Sequence, residues 1–336
     1  MPALHVALLV ALTALVAGCG GEAGSAGGDP LQAVDAAVRD QVADAGEVDP
    51  AAFPKPPASG TLEDFGRRFS ADGPQAVAAS SVLRPPTSRL AFGLLDTNQQ
   101  FAYGETVLYV QRRGATSIEG PIAAPADVLV TEARYRSQQA ASEKDPFAAI
   151  YTADIPTPKP GIYNVLVVTK LGETTNAAPL AVQVQSRAED LVPDVGERAP
   201  KVETDTLGSV KGDVRMLDTR LPPAPELARK SFADVVGKEP VALLFATPQL
   251  CQSRVCGPVT DEMLQLRAKY GDDMTFIHQE VYVDNDPNKG LREPLRRFNL
   301  RSEPWLFVVG RDGRVTARLE GSFGLAAFEQ AIKTAL

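Results

Sequence analysis

The C-terminal part of the chain alternates between strand-like and helix-like segments, and this alternation constrains the fold more than any other feature of the sequence. The run PVALLFA is apolar without interruption, as expected of a strand that is buried on both faces. A helical pattern follows in VTDEMLQLRAKY, and the next strand-like segment is MTFIHQEVYVD. A further helix, a hairpin with its turn at Asp312-Gly313 and a closing helix complete the order. The predicted order β-α-β-α-β-β-α indicates an α/β domain.

Residues 85–187 show a different pattern, in which short apolar runs alternate with period two and turn residues separate them. This pattern predicts an all-β sandwich. The segment PKPGIYNVLV resembles the start of a strand in immunoglobulin-like and fibronectin-type domains, which implies that Tyr163 is a corner tyrosine and that Gly161 permits a tight turn. The region contains no Cys and no His. We therefore expect a spacer or a module that binds a protein partner.

Length and charge place limits on the whole chain. With 336 residues, it has room for about two domains. Its formal net charge of −8 gives no reason to expect nucleic acid or an anionic membrane surface as a partner. No metal and no cofactor are predicted either.

The N-terminus determines which compartment we expect. Residues 4–17 form an apolar stretch that is too short to span a bilayer and suits the core of a signal peptide. It leads into VAGC, which ends at Cys19 and resembles the bacterial lipobox. The resemblance implies that residues 1–18 are removed, that Cys19 carries lipid, and that the protein is anchored to the cell membrane outside the cytoplasm. Residues 19–75, rich in Gly and Pro, are predicted to form a flexible stalk with one short helix.

The other two cysteines, Cys251 and Cys256, form a pair in an exported chain, where disulfides persist. A bridge between residues five positions apart closes a very small loop and stabilises the fold little, which favours a reactive pair over a structural bond. The next helix begins here, either with Ser253 as its cap or with Pro258 in its first position. Both registers place Cys256 at the helix start, where the N-terminus of a helix favours a thiolate.

The order of elements and the segment FNLRSEPWLFVVGRDGRV resemble the thioredoxin family over about residues 197–336. We place a linker at 188–200 and the domain itself at 201–336. The resemblance implies that Pro304 is a cis-proline beside the cysteine pair and contacts substrate together with Glu303. It also implies thiol–disulfide exchange with an extracytoplasmic protein or a small thiol or disulfide.

Within this scheme Cys251, in the more exposed loop, attacks the substrate, and Cys256 resolves the mixed disulfide. Three features differ from the family: four residues separate the cysteines instead of two, Leu250 replaces a tryptophan, and VALLFA lacks the usual buried acid. His278, Glu280 and Tyr282 share one face of the neighbouring strand. Of these, His278 and Glu280 are candidates for a proton relay to the disulfide. A buried, hydrogen-bonded histidine without such a role is the alternative.

Three other functions remain open. The four-residue spacer also occurs in one branch of the peroxiredoxins, with Arg301 in place of the arginine that polarises peroxide, although Leu244 and Pro248 stand where that family has Pro and Thr. Copper delivery needs a histidine beside the thiols, and His278 is the only histidine in this domain. In the third alternative, the chain is a non-catalytic interaction protein with a structural disulfide.

Overall fold

The computed structural model describes residues 31, 34, 36–140, 147–251 and 254–336. The predicted signal peptide, the lipidation site Cys19 and Ser253 therefore lie outside the described residues. Within the described ranges, no helix is both long enough and apolar enough to cross a membrane.

The middle domain consists mainly of strands, and the C-terminal domain contains both strands and helices. The strands are β1 (Gln75–Ala78), β2 (Thr87–Leu95), β3 (Thr106–Arg112), β4 (Glu119–Ala123), β5 (Ala126–Val128), β6 (Ala149–Pro156), β7 (Gly161–Leu171), β8 (Thr174–Val184), β9 (Val241–Phe245), β10 (Thr275–Gln279), β11 (Trp305–Val309) and β12 (Val315–Glu320). The α-helices are α1 (Ala36–Gly46), α2 (Leu62–Gly66), α3 (Phe232–Val235), α4 (Cys256–Tyr270), α5 (Glu293–Arg297) and α6 (Leu325–Lys333). Short 3-10 helices lie at Pro50–Ala52, Ala133–Tyr135, Val214–Met216, Pro225–Ala228, Val283–Asn285 and Pro287–Lys289.

The middle domain is a β-sandwich, as the period-two pattern predicts. In the described residues, one sheet has the order β1-β2-β6-β5 and the other has the order β4-β3-β7-β8. The inner faces of the two sheets share one core, to which Phe92 on β2, Tyr151 on β6 and Val165 on β7 contribute. The sequence pattern does not reveal the short strands β1 and β4, and β5 is only three residues long.

The turn into β7 agrees with the predicted corner. The hydroxyl of Tyr163 donates a hydrogen bond to the carbonyl of Lys159, with a distance of 2.8 Å. A bond to the backbone a few residues upstream is characteristic of a corner tyrosine. Gly161 has a φ of +135°, a conformation that residues with a side chain rarely adopt.

The segment predicted to be a flexible stalk is instead largely packed against the sandwich. Val34 is buried, and α1 buries Val42 in the core beside β5. Phe53, Leu62 and Phe65 cover the outer face of the sheet that contains β3 and β7. Composition alone indicates an irregular chain here, because it does not show that the outer face of a neighbouring sheet is apolar and needs a cover. The expected stalk over 19–75 is corrected accordingly for its described part, in which Leu31 is the first residue that packs on the sandwich core.

The predicted linker at 188–200 is held by buried groups. The Asp190 carboxylate pairs with Arg84 of the middle domain at 2.8 Å and with Arg318 of β12 at 3.6 Å. Val192 is buried in the C-terminal core. The linker therefore contacts both domains.

The C-terminal domain has a sheet with the strand order β10-β9-β11-β12. β10 is parallel to β9, whereas β11 is antiparallel to β9 and to β12. α4 and α6 pack on one face of the sheet, and α3 and α5 pack on the other. The peptide bond between Glu303 and Pro304, just before β11, is cis. The strand order and the two helical layers confirm the predicted thioredoxin-like fold.

The sandwich packs directly on this domain through the outer face of the β1-β2-β6-β5 sheet. Ala91 and Ile150 from that face belong to one apolar cluster with Val255, the residue before α4. The Arg89 guanidinium donates to the backbone carbonyl of Ser322 at 2.7 Å. The middle domain is thus more than a spacer, because it supports the helix that begins at the cysteine pair.

Candidate redox site

The cysteine pair lies in the connection from β9 to α4. β9 ends at Phe245, and Cys251 lies in the loop before the helix. α4 begins at Cys256, so the helix starts between the two predicted registers, and Pro258 is its third residue. Val255, at the N-cap, makes no side-chain hydrogen bond to this helix end. The first N–H groups of a helix have no partner within the helix, so they can stabilise negative charge at this point.

The two thiols differ in accessibility and in environment. The side chain of Cys256 is fully buried, Cys251 is half-buried, and both are in the thiol form rather than joined in a disulfide. Burial raises the pKa of Cys256 well above its usual value, and the adjacent Cys251 thiol raises it further, while the backbone N–H of Thr247 acts in the opposite direction. For Cys256, burial therefore outweighs the helix N-terminus. Cys251 is the thiol that a substrate can reach.

Glu303 and Pro304 approach the pair from the strand next to β9. Trp305, the first residue of β11, pairs with Phe245, the last residue of β9, which brings the two preceding residues beside the loop. Burial raises the pKa of Glu303 to about 7, and negative charge on Cys251 contributes to the rise. The ionisation of a carboxyl group beside the thiols is thereby shifted into the neutral pH range.

Tyr282, which the alternating pattern places on the strand face of His278 and Glu280, is a further neighbour of the pair. Burial raises the pKa of its hydroxyl, and negative charge on Glu303, Cys251 and Cys256 adds to the effect. Tyr282 follows Glu280 by two residues in the same alternating segment. The alternation predicted the shared face, but it gave no sign that the Tyr282 hydroxyl lies beside the thiols.

His278 and Glu280 lie at the end of β10, next to the turn that follows β9. The Nε2 atom of His278 is 3.0 Å from the backbone carbonyl of Ala246. One oxygen of Glu280 accepts hydrogen bonds from the backbone N–H and the hydroxyl of Thr219, at 2.7 and 2.8 Å. The structure therefore contains the buried, hydrogen-bonded histidine of the alternative interpretation. Burial also raises the pKa of Glu280, and positive charge on His278 opposes this rise.

The proton relay through these residues stays a prediction. Thr247 lies between the two groups, since its backbone N–H faces the Cys256 thiol and its side chain faces the Glu280 carboxylate. Asp218 joins the same group, with its Oδ1 atom 3.7 Å from Nδ1 of His278. Nothing in the sequence pointed to Asp218, because it lies in an irregular segment without a periodic pattern.

Arg301, the candidate for a peroxide-polarising arginine, is exposed. It lines a cavity of about 390 Å³ together with Leu191, Asn299 and Trp305. The ionisable groups that influence the thiols from this part of the chain are Glu303 and Tyr282. The structure therefore places Glu303 and Tyr282 beside the pair.

The β-sandwich forms a wall on one side of the pair. Cys251 packs against the apolar cluster of Ala91, Leu129, Phe147, Ile150 and Val255. Gly257, the second residue of α4, lies so close to Gln139 that an added Cβ atom would be 2.6 Å from the Gln139 side chain and 2.8 Å from its carbonyl oxygen. Sequence analysis missed this contribution, because period-two patterns show which residues are buried but not which surface covers them.

Comparisons with known proteins give only weak structural similarities and no match to a family model or a curated protein. No protein-family model matches the chain, and no curated protein matches its sequence. Among solved structures, it is similar to a Chlorobium tepidum protein described as a thiol:disulfide interchange protein DsbE, at 18% identity over 43% of this chain and 98% of that one, with a TM-score of 0.31. A thioredoxin family protein from Chlorobium tepidum TLS, described as a thiol:disulfide interchange protein, matches at 19% identity over 41% of this chain and 94% of that one, with a TM-score of 0.29.

The PKD domain of human SorCS2 matches at 16% identity over 50% of this chain and 97% of that domain, with a TM-score of 0.18. All of these scores are below 0.5. We therefore base the class of the C-terminal domain on its own strand order. That class is a thioredoxin-like domain with a dithiol at the start of its first long helix.

Proposed function

We propose that the chain is an extracytoplasmic thiol–disulfide oxidoreductase that acts on protein or small-molecule thiols and disulfides. The observation that carries this proposal is the contact between a half-buried Cys251 and a fully buried Cys256 at the start of α4. Disulfide exchange needs one thiol that can reach the substrate and a second thiol that reacts only with the sulfur of the first. An accessible Cys251 beside an inaccessible Cys256 fits these two roles.

The reaction proceeds in two exchanges. The Cys251 thiolate attacks one sulfur of a substrate disulfide, so that a mixed disulfide forms and the other substrate sulfur leaves as a thiol after it takes up a proton. The Cys256 thiolate then attacks the Cys251 sulfur, which releases the second substrate thiol and leaves the Cys251–Cys256 disulfide. The substrate gains two electrons and two protons, and the protein dithiol loses them. In the reverse direction, the same steps oxidise a substrate dithiol.

Glu303 and Pro304 form the substrate-facing edge in this proposal. Both precede β11 and lie beside the loop that carries Cys251. The sandwich occupies another side of the pair. A substrate therefore reaches Cys251 between the sandwich wall and the Glu303 side of the site.

The decisive experiment is a turnover assay with a protein disulfide and a small thiol as reductant, on the wild-type chain and on three single serine variants. Cys251→Ser should abolish exchange. Cys256→Ser should lose turnover but accumulate a mixed disulfide with the substrate, detectable by mass spectrometry. Cys19→Ser is the matched control, because it removes a cysteine outside the pair and should leave exchange in solution unchanged.

Two results would contradict the proposal. Peroxide consumption without disulfide exchange would favour a thiol peroxidase instead. A Cys251–Cys256 bond that resists strong reductant in the folded protein, with no turnover of either substrate, would indicate a structural disulfide. Below about −300 mV, a reduction potential is typical of such structural bonds.

We also propose that the protein is a lipoprotein, and that its middle domain belongs to the immunoglobulin-like class. The lipid proposal is supported by the VAGC segment that ends at Cys19. It is tested by membrane fractionation of Cys19→Ser, which should move from the membrane to the soluble fraction. The class of the middle domain is supported by the hydrogen bond between Tyr163 and Lys159. An experimental structure in which the two sheets have a different connection would contradict it.

A further inference from the structure

Three ligand-type side chains converge in the interior of the C-terminal domain, away from the substrate-facing edge. Asp218, His278 and Glu280 each offer one atom to the cluster, and these atoms lie within 4.8 Å of one another. The three residues are buried, with exposed fractions of 3%, 3% and 0%. Burial of two carboxylates without compensation is costly, so something must neutralise them.

The hydrogen bonds around the cluster leave one lone pair of His278 directed into it. The carbonyl of Ala246 only accepts hydrogen bonds, so the Nε2 atom that it contacts at 3.0 Å carries the proton. The Nδ1 atom of the neutral ring then has a free lone pair, which faces Asp218 Oδ1 at 3.7 Å. A lone pair that faces a carboxylate is repelled unless a proton or a cation lies between them.

The carboxylates are oriented in the same way. The backbone N–H groups of Arg220 and Ala224 donate to Oδ1 and Oδ2 of Asp218, at 2.8 and 2.7 Å. Thr219 donates twice to Oε1 of Glu280. In metal sites of proteins, the ligand side chains are held in place by hydrogen bonds of this kind, including one from the histidine nitrogen that does not bind the metal to a backbone carbonyl.

One atom of the cluster has no role in this network. Oε2 of Glu280 is buried and has no hydrogen-bond partner among the described residues. The hydroxyl of Thr247 faces the same carboxylate and lowers its pKa, although the two groups are not within hydrogen-bond distance of each other. Buried polar atoms in native proteins are nearly always paired, so the lone pairs of Oε2 are available to a ligand, to a proton or to the Thr247 hydroxyl after a small movement.

No nearby basic side chain supplies the missing charge among the described residues. Arg220 is the adjacent one, but its guanidinium is paired with Asp261 at 2.7 Å. A protonated His278 would leave the two carboxylates with a net charge of −1. A neutral His278 with a divalent cation leaves the cluster without net charge, and so does a protonated His278 with a protonated Glu280, whose pKa burial raises. The measurements below distinguish these two states.

We propose that Asp218, His278 and Glu280 form a buried site for a divalent transition-metal ion of the zinc class. One nitrogen and two oxygen ligands suit Zn²⁺, which binds them at about 2.0–2.2 Å. Three atoms within 4.8 Å of one another have a point within about 2.8 Å of each, so a closure of less than about 1 Å creates the site. The ion would fasten the irregular segment around Asp218 to the end of β10. This site does not depend on the proposed redox function.

The test uses the full chain with both Cys251→Ser and Cys256→Ser, because thiols also bind zinc. The protein is treated with a chelator, incubated with Zn²⁺ and freed of unbound metal, and the bound metal is measured by mass spectrometry and by titration calorimetry. One ion per chain is expected. Glu280→Gln in this background should bind at least about tenfold more weakly. Glu303→Gln is the matched control, since it alters a carboxyl group near the pair but outside the cluster, and it should bind as the parent does.

Two further measurements distinguish a metal ion from a proton at this cluster. Zn²⁺ should raise the melting temperature of the parent but not that of Glu280→Gln, and circular dichroism without metal establishes that the variant is folded. Co²⁺ in place of Zn²⁺ should give a visible spectrum of nitrogen and oxygen ligands without thiolate charge transfer. Absence of bound metal in the parent, or equal binding by Glu280→Gln, would overturn the proposal and favour a proton as the neutralising group. Disulfide exchange by the chelator-treated wild type is measured separately, so that failure of the metal site leaves the redox proposal intact.

Discussion

Asp127, on β5 of the sandwich, caps α6 of the thioredoxin-like domain at Ala327. The backbone N–H of Ala327 donates to the Asp127 carboxylate at 2.9 Å, and Gly324 and Ala326 donate to it at 3.1 and 3.0 Å. A carboxylate at a helix N-terminus satisfies N–H groups that the helix itself cannot pair and complements the positive end of its dipole. Here the capping residue belongs to the other domain, so the stability of α6 depends on the sandwich.

Asp127→Ala should therefore destabilise the thioredoxin-like domain. The variant loses three hydrogen bonds to a charged group, and we expect the free energy of unfolding to fall by about 1–3 kcal/mol. Urea unfolding at pH 7 checks this, with fluorescence of Trp305, the single tryptophan, as a reporter in the domain that does not contain the substitution. Asp272→Ala, at an exposed turn residue, is the control. An equal effect of both substitutions would show that the cap does not couple the domains.

Glu262, on α4, should be a site at which substitution stabilises the protein. It is fully buried, and neither of its carboxyl oxygens has a hydrogen-bond partner in the described part of the chain. Burial raises the pKa of Glu262 well above its usual value, with further increases from Asp127 and Asp261 and a smaller opposing effect of Arg89. The folded state therefore keeps this carboxyl protonated at a pH at which the unfolded chain has released the proton.

Because the folded pKa is raised, stability is lost as the pH rises above the unfolded value near 4.5 and continues to fall until the folded pKa is passed. Glu262→Met removes the cost, and we expect it to stabilise the protein by about 1–3 kcal/mol at pH 7. The gain should shrink toward pH 4. Urea unfolding at both pH values measures it, with the exposed Glu173→Gln as control. A gain that does not depend on pH would contradict the assignment to this carboxyl group.

Glu303→Gln should make the cysteine pair more reactive in mildly alkaline solution. The pKa of Glu303 is raised to about 7, in part by negative charge on Cys251. Because this repulsion is reciprocal, the ionised Glu303 disfavours a thiolate at Cys251, the thiol that a reagent can reach. Without the charge, the rate of alkylation by iodoacetamide at pH 8 should rise about threefold, which corresponds to half a pKa unit. At pH 5.5, where Glu303 is protonated, variant and wild type should react alike. Equal rates at both pH values would place the carboxyl too far from the thiols to matter.

Gly257→Ala should separate the sandwich from the start of α4. The new methyl group would meet Gln139 at 2.6–2.8 Å, so one of the two backbones must move. We expect a loss of about 1–3 kcal/mol in stability and faster proteolysis near Gln139. Gly208→Ala is the control, because its nearest neighbour is at an ordinary distance of 3.7 Å. If both variants melt alike, the close packing around Gly257 tolerates the methyl group.

The sequence predicted those parts of the fold that local periodicity determines. The uninterrupted run that became β9 and the alternating runs of the sandwich have only one burial pattern each. Such runs predicted the order of elements along the C-terminal domain, whereas the resemblance to the thioredoxin family implied the order of strands in its sheet. Phe53 and Leu62 show the limit, since two apolar residues in a Pro-rich segment do not reveal the sheet face that covers them. The same holds for Asp127 and Asp218, whose partners lie far away in sequence, so that no spacing marks them. The roles of Cys251, Cys256 and Glu303 remain predictions, now with a geometry that allows each to be tested.

The docking of the N-terminal segment on the sandwich limits how far the dithiol can travel from a lipid anchor. With the anchor that we propose at Cys19, Leu31 is the first described residue that packs on the sandwich core. Chain geometry limits the distance between these two residues to about 40 Å, whereas a free segment from 19 to 75 could reach about 200 Å. The shorter connection therefore keeps Cys251 nearer to the bilayer than a free stalk would. Disulfides borne by other membrane-bound proteins would then encounter this thiol far more often than those of proteins that diffuse freely.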